Sequence, residues 1–322
     1  MMRSLYSAIS GLKNHQVKMD VIGNNIANVN TTGFKRSRVS FATTLSQTMK
    51  GASAPTATVG GTNSMQIGMG VMLGAIDQIM TQGSSQSTGK ATDMLVQGEG
   101  FFVLNNNGTV YSRAGAFGLD SDGNLIDPAT GARVQGVMFA DESAAAAVPE
   151  ITTTLDDVGP PPVYTQPELT GIQIKIGSGL YNSEPVEGEA ALDSYTIDQK
   201  GVITGVYVTP AVVEDGVITT AAVSTTAKIG QIAIATFANS AGLENIGNNF
   251  YRETPNSGSA MSGEAGSTGH GTIVSNTVEM SNVDLSTEFT DMIVAQRGFQ
   301  ANSRVITVSD TLLEELINLK RS

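Results

Sequence analysis

Residues whose types and spacing could do chemistry are few. Asp120-Ser-Asp-Gly-Asn124 sets oxygen side chains at alternate positions, as a calcium loop begins, but the glycine required after Asn124 is Leu125 and no Glu closes the loop. A hairpin turn is expected there. Gly98-Glu-Gly100 lacks the third glycine and the helix start of a dinucleotide site, and Gly89-Lys90 is followed by Ala91 rather than Ser or Thr, so neither should bind phosphate. His15 and His270 are far apart in sequence, and His15 falls on a helical seam, where packing is expected rather than metal ligation. Gly-x-Ser-x-Gly is absent, and with no cysteine there is neither a disulfide framework nor a thiolate metal site. No catalytic residue, cofactor or metal is expected, and the chain reads as a non-enzyme.

The informative spacing is instead a repeat. Leu5, Leu12, Met19 and Ile26 recur every seven residues, and Ala8, His15, Ile22 and Val29 follow each by three, the a/d pattern of a coiled-coil seam. One helix over about residues 3 to 29 is implied. Asn24, Asn25, Asn28 and Asn30 crowd its end although asparagine is a poor helix former. Two readings stand: a fraying end with an Asn/Thr/Gly stop at residues 30 to 33, or amides held between packed helices, where a polar group fixes register at a cost in stability. At the far end, Leu285, Met292, Phe299, Ile306 and Leu313 repeat every seven residues, with Ala295 and Leu316 at companion positions and Phe289 and Ile317 beside them. A second helix over roughly residues 286 to 319 follows, with cap residues in Ser281-Asn-Val-Asp284 and Lys320-Arg321 suiting its dipole.

Ile26-Ala-Asn-Val-Asn-Thr-Thr-Gly-Phe-Lys35 resembles the N-terminal signature of bacterial flagellar rod and hook proteins. Ser281-Asn-Val-Asp-Leu-Ser-Thr-Glu-Phe-Thr-Asp-Met-Ile-Val-Ala-Gln-Arg-Gly-Phe-Gln-Ala-Asn302 resembles their C-terminal one. Gly61-Thr-Asn-Ser-Met-Gln-Ile-Gly-Met-Gly-Val71, Leu95-Val-Gln-Gly-Glu-Gly-Phe-Phe-Val-Leu104, Tyr111-Ser-Arg-Ala-Gly-Ala-Phe-Gly-Leu-Asp120 and Gly242-Leu-Glu-Asn-Ile-Gly-Asn-Asn-Phe-Tyr251 are similar to further segments of that family. Only about residues 141 to 227 lack a specific likeness. The resemblance implies a helical homopolymer, exported through the flagellum's own channel without a cleaved signal peptide and located extracellularly in the hook and basal body. Its implied partners are other copies of itself, rod, hook-cap and hook–filament junction proteins, and the flagellar export apparatus.

Bulk properties agree with that and exclude other classes. A net charge of −12 disfavours nucleic acid or an anionic membrane surface as the main partner. Residues 1 to 38 nevertheless hold six Lys/Arg against one Asp, and residues 279 to 322 hold four against seven acidic residues. Opposite signs suit pairing of the two ends, although screened surface charges are weak evidence. Met1-Met2-Arg3 is followed by interrupted heptads rather than the continuous apolar run of a secretory signal peptide, and no transmembrane run exists. Composition alone would place such a chain in the cytoplasm; the resemblance reverses that expectation.

Between the helices the composition changes repeatedly. From residue 40 to 76 the only charge is Lys50, and Ser, Thr, Gly, Ala and Met dominate, which reads as a connecting segment. From 77 to about 140, β-favouring runs at 101–104, 109–112, 117–119, 124–126 and 132–134 are separated by turn signals at Asn107-Gly108, Asp122-Gly123 and Thr130-Gly131. Residues 141 to 227 open with Ala144 to Ala147 and Pro160-Pro-Pro162 and then offer strands at 172–176 and 202–208, an apparent inserted β domain. Strand character returns at 229–237.

The sequence therefore predicts an α+β protein. Residues 1–40 with 275–322 form a coiled-coil-like helical inner domain, 41–76 connect, 77–140 with 228–274 make a core domain of mostly antiparallel β-structure, and 141–227 an outer β domain. One seam between two helices is a small return for ordering ~60 residues, so the helices are expected to order fully only on assembly. The residues expected at subunit interfaces are Leu5, Leu12, Met19, Ile22, Asn24, Asn25, Ile26, Asn28, Val29, Gly33 and Phe34 from the first end. From the second they are Leu285, Phe289, Met292, Ala295, Gln296, Phe299, Asn302, Ile306, Leu313 and Leu316. The insertion favours a hook subunit forming a curved, flexible, torque-transmitting tube. The alternative is a distal rod subunit, and a secreted β-rich adhesin or enzyme is the remote third reading.

Overall fold

The two seven-residue repeats each give one helix, α1 (Met2–Ala27) and α2 (Leu285–Leu319). In the computed structural model, the residues described are 2–55, 59–139, 169–175, 190–209, 212–214, 217–220 and 223–319. Asp284 caps α2: its carboxylate accepts the Ser286 N–H at 3.0 Å and the Thr287 hydroxyl at 2.7 Å. Those donors, the Thr287 hydroxyl foremost, hold the Asp284 carboxyl below its ordinary range. At the end of α1 the Asn28 N–H and its side-chain Nδ2 both donate to the Asn24 carbonyl, at 3.2 and 2.9 Å, closing the last turn. Lys320 and Arg321 lie outside the described residues.

The chain divides into two units. Unit 1 comprises Met1–Val29, Lys35–Ile79 and Val283–Ser322. Besides the helices it holds a nested ribbon: β1 (Ser37–Thr43) pairs antiparallel with β4 (Val71–Gln78), and β2 (Ser46–Lys50) with β3 (Met65–Gly68). The segment read as a connection thus carries strands held by their own backbone ladders, and β2 and β3 are exposed along their whole length.

Unit 2 comprises Asn30–Phe34 and Met80–Asn282 and is built almost entirely of antiparallel strands. Its main sheet runs in the order β13 (Ala191–Ile197), β14 (Val202–Thr209), β17 (Val223–Thr236), β11 (Arg133–Met138), β7 (Phe101–Asn105), β8 (Thr109–Ser112), β19 (Phe250–Arg252), β18 (Glu244–Gly247). Joined to it are β9 (Gly118–Leu119), β10 (Leu125–Ile126), β12 (Thr170–Gly171) and β20 (Met261–Glu264). Three pairs stand apart: β5 (Ser85–Ser87) with β22 (Thr277–Glu279), β6 (Met94–Gln97) with β21 (Thr272–Ser275), and β15 (Val212–Glu214) with β16 (Val217–Thr220).

Strand alternation explains why β7 reads as an unbroken apolar run. Phe102 and Leu104 face one core cluster and Phe101 and Val103 the other, so both faces are covered. β17 does the same, with Ile232 and Ile234 on one side and Ala233 and Ala235 on the other. The Asp120 to Asn124 stretch is the turn joining β9 to β10. Asp120 accepts the N–H groups of Asp122 and Asn124 at 2.9 and 2.7 Å and the Asn124 side-chain amide at 2.7 Å. Its carboxylate is committed to the turn, and those bonds, led by the Asn124 amide, hold its carboxyl below the usual carboxylate range.

Of the strand expected at 172–176, residues 172 to 175 are described and form no continuous strand, and Ile176 lies outside the described residues. β12 covers Thr170–Gly171, followed by an isolated bridge between Gln173 and Asn124. Ala144 to Ala147 and Pro160 to Pro162 lie outside the described residues. Ile172, Ile174, Leu192, Ile197, Ile203 and Tyr207, all within the stretch 141 to 227, are buried in the same cluster as Phe102, Leu104 and Ile234.

Six such side chains at ~1.5–3 kcal/mol each are comparable to the whole stability of an ordinary domain. Joining residue 140 to 228 through a short Gly/Ser linker is therefore expected to abolish cooperative thermal unfolding of unit 2. A sharp transition surviving the deletion would mark 141–227 as a separable domain.

Candidate assembly interface

In unit 1 the two helices meet along a seam of small and polar residues. Ala8, Gly11, Ile22 and Asn25 of α1 and Glu288, Ala295 and Ser309 of α2 are its buried members. Gly11 faces Asn302, where an added Cβ would lie 2.7 Å from the amide nitrogen. Gly298 faces His15, with an added Cβ 2.6 Å from the imidazole. The two glycines let the helices approach more closely than leucines would allow.

The polar centre of the seam is Asn25, 1% exposed. Its Nδ2 donates to Glu288 Oε2 at 3.2 Å and to the Ser37 carbonyl at 2.9 Å, while its Oδ1 accepts the Ser37 N–H at 3.0 Å. Arg36 approaches Glu288 Oε1 at 3.3 Å, so the nearly buried carboxylate has a charged partner as well as an amide. Lys18 pairs with Asp291 at 3.0 Å. The ribbon is tied to α1 by Asn14, whose Nδ2 donates to the Val71 carbonyl at 2.9 Å, and by the Val71 N–H, which donates to Ser10 Oγ at 3.3 Å. His15 packs edge-on to Phe41 with ring centroids 6.0 Å apart. His270, in unit 2, lies with its Nε2 3.2 Å from the Met261 carbonyl.

The residues expected at interfaces fall into three groups. Ile22, Asn25 and Ala295 are buried in the seam. Leu5, Leu12, Met19, Ile26, Asn28, Val29, Met292, Phe299, Asn302, Ile306 and Leu313 are half-buried, and Asn24, Leu285, Phe289, Gln296 and Leu316 are exposed. Gly33 and Phe34 belong to unit 2, where both are buried. Within one chain the contact thus runs one position round from the leucine-rich stripe, through Gly11, Lys18 and Asn25 rather than Leu12, Met19 and Ile26. Sequence reasoning missed Gly11, Lys18, Glu288, Asp291 and Gly298. Their signal was a second seven-residue spacing, Gly11-Lys18-Asn25 against Glu288-Ala295-Asn302-Ser309, which carries no large apolar residue.

What the pair leaves uncovered is apolar. The buried hydrophobic residues of unit 1, among those described, are Ala8, Ile22 and Ala295. Of the large hydrophobic residues exposed among those described, all but Val223, Ile246 and Met261 lie in unit 1. Those on α2 include Phe289, Ile293, Val305, Val308, Leu312 and Leu316, and the ribbon adds Phe41, Met65, Met72 and Ile76. So many exposed apolar side chains in one unit mark an interaction surface rather than a finished exterior.

Comparison with known proteins matches the description "Flagella basal body rod protein" over residues 5–35. "Flagellar hook protein FlgE/F/G D1 domain" matches over 95–205 and "Flagellar basal body rod FlgEFG protein C-terminal" over 274–319. The flagellar basal-body rod protein FlgG of Bacillus subtilis is 44% identical over 323 positions covering 100% of both chains. This chain belongs to the flagellar rod and hook family. Within that structural, non-enzymatic family it is also similar to the flagellar hook protein FlgE of Borreliella burgdorferi. That relative is 34% identical over 455 positions covering 99% of this chain and 100% of the hook protein. The FlgG of the same organism is 32% identical over 325 positions covering 100% of both chains. The first and third family matches fall on the ends that form the helix pair, and the D1 match runs unbroken across residue 141.

Truncating Asn25 would leave Glu288 and both Ser37 backbone groups short of a partner. Asn25→Ala is expected to destabilise the helix pair by ~1–3 kcal/mol in thermal unfolding followed by helix content, whereas Asn24→Ala, at an exposed position, should be within ~0.5 kcal/mol of the unaltered protein.

Proposed function

We propose that this chain is a subunit of the distal flagellar rod. It polymerises by packing α1 and α2 against the helices of neighbouring copies around a central channel. The observation that supports assembly is the apolar surface of unit 1, which buries only two alanines and one isoleucine of its own among the described residues. In a neighbouring copy a different part of the same apolar surface can cover it, and such a head-to-tail contact, repeated, builds a filament.

Rod rather than hook is supported by length. The alignment to the Bacillus subtilis rod protein needs 323 positions for the 322 residues of this chain, while that to the Borreliella hook protein needs 455. A rod relative matched end to end in this way carries the 141–227 stretch too. That stretch, which in sequence favoured the hook, therefore does not separate the two. The hook reading retains the 34% identity to the Borreliella hook protein in its favour.

On the rod reading the chain lies outside the cytoplasm in the flagellar basal body, reached through the flagellar export apparatus. Its neighbours would be other rod and hook components. No helix of the described residues is long and apolar enough to cross a membrane. A straight, stiff shaft asks that the apolar stripes lock in one register. A bending hook would ask for interfaces that alternate between nearby arrangements.

Electron microscopy of a strain lacking this gene tests the assignment. The rod reading predicts basal bodies that stop short of a complete rod and bear no hook. Complete rods without hooks would overturn it in favour of a hook subunit. The interface is tested separately with Phe289→Asp. Because Phe289 is 50% exposed, the isolated chain should melt within ~0.5 kcal/mol of the unaltered protein. Polymerisation should stop, since a carboxylate would be buried without a partner at the contact.

A further inference from the structure

The chain passes between the two units at 29/30, 34/35, 79/80 and 282/283. Inside unit 2 these points are fastened to one another. The Gly33 N–H donates to the Glu279 carbonyl at 2.8 Å, and the Asn282 N–H to the Phe34 carbonyl at 3.4 Å. Asn282 Nδ2 donates to the Thr81 carbonyl at 3.2 Å, and the Gly83 N–H to Glu279 Oε1 at 2.8 Å. The other Glu279 oxygen accepts from Arg113 Nε at 2.9 Å, a fully buried ion pair.

The short Asn30–Phe34 segment is held from its other side too. Asn249 Nδ2 donates to the Thr32 carbonyl at 3.0 Å. Gly33 has φ +70° and lies so close to Ala114 that a Cβ would come within 2.5 Å of the Ala114 nitrogen. The Asn/Thr/Gly stretch that reads in sequence as a helix stop is therefore a docked turn.

We propose that this turn and the strand end at Glu279 form a clasp that holds the two ends of the chain together, so that α1 and α2 pair almost as local neighbours. From Ala27 to Gly33 and from Glu279 to Leu285 the closed path is about 12 residues, against ~260 for the open chain, which by the 3/2-power rule raises the local concentration of one helix at the other about 100-fold. The clasp acts in the single chain and does not depend on whether the assembly is rod or hook.

The chain has no cysteine, so Asn25→Cys with Glu288→Cys introduces a single thiol pair, at side chains that stand 3.2 Å apart. Its effective concentration, measured by disulfide exchange with glutathione at a dilution that prevents polymerisation, reports how often the ends meet whether or not the helices are formed. Gly33→Val should undock the turn, leaving the β1–β4 ladder from Ser37 to Gln78 and the Asn282–Thr81 bond as the next shortest link. The path then lengthens only from about 17 to about 21 residues, and the effective concentration should fall about 1.4-fold. A Gly/Ser insertion of about 24 residues between Val29 and Asn30 leaves the clasp intact but lengthens the path to about 41 residues, for a fall of about fourfold. Near-ultraviolet dichroism of the buried Tyr111 and Tyr251 shows whether unit 2 stays folded. If unit 2 is folded and the effective concentration is unchanged in both variants, the clasp does not bring the ends together. Should Gly33→Val unfold unit 2, the insertion decides alone: a fall of the expected size supports the clasp, and no fall overturns it.

Discussion

Unit 2 is organised around one buried ion pair. Arg113 and Glu279, 166 residues apart in sequence, meet at 2.9 Å with their side chains 4% and 0% exposed. Burying two charges is unfavourable unless the geometry is good and the remaining donors and acceptors are used. Here they are used: the second Glu279 oxygen takes the Gly83 N–H, and the guanidinium donates to the carbonyls of Val96, Gly98 and Gly100. The guanidinium also lies 5.8 Å from the centre of the Phe101 ring. Burial, and then the Glu279 charge, push the neighbouring Tyr251 phenol up to about 12, so it is neutral at any physiological pH. Segments distant along the chain are thus pinned at one point.

Unit 1 is built on the opposite principle. Its helix pair is specified by glycines, an asparagine and a carboxylate, groups that set register and spacing but contribute little apolar burial. The ion pairs Lys18–Asp291 and Arg36–Glu288 realise the opposite charges of the two chain ends. Lys18–Asp291 is partly exposed, and its worth lies in choosing a partner and register more than in stability, whereas the buried Glu288 carboxylate needs Arg36 to offset its loss of water. The large apolar side chains are left on the flanks, where packing between copies can use them. A protein that joined its helices through leucines would have a more stable pair and less surface left with which to polymerise.

Rod and hook relatives align over the whole chain, so the helix pair and the β-rich unit belong to the common design. What separates a stiff shaft from a bending one is expected to lie in how copies contact each other, which depends on flanking side chains more than on fold.

Much of the fold was legible in the sequence. The seven-residue apolar repeats, the Asp284 cap, the unbroken apolar run of β7 and the period-two run of β14 are local signals, and local backbone preference together with burial on one face or both is enough to set them. The family was legible as well, because its signatures sit where the chain turns between elements. The phase of the seam was not. A heptad says that an apolar stripe exists, but not whether that stripe or the small-residue line beside it meets the other helix, and that choice rests on Gly11 and Gly298 admitting close approach between segments some 290 residues apart. Nor could spacing place Leu192, Ile203 and Tyr207 in the same core as Phe102, since strand pairing between β14, β17, β11 and β7 is decided by long-range hydrogen bonding and shared burial. The sequence by itself determined the helices, most of the strands and the kinship. Only the tertiary structure decided which faces meet and which stay open, because that depends on shape and partner groups brought together across the whole length of the chain.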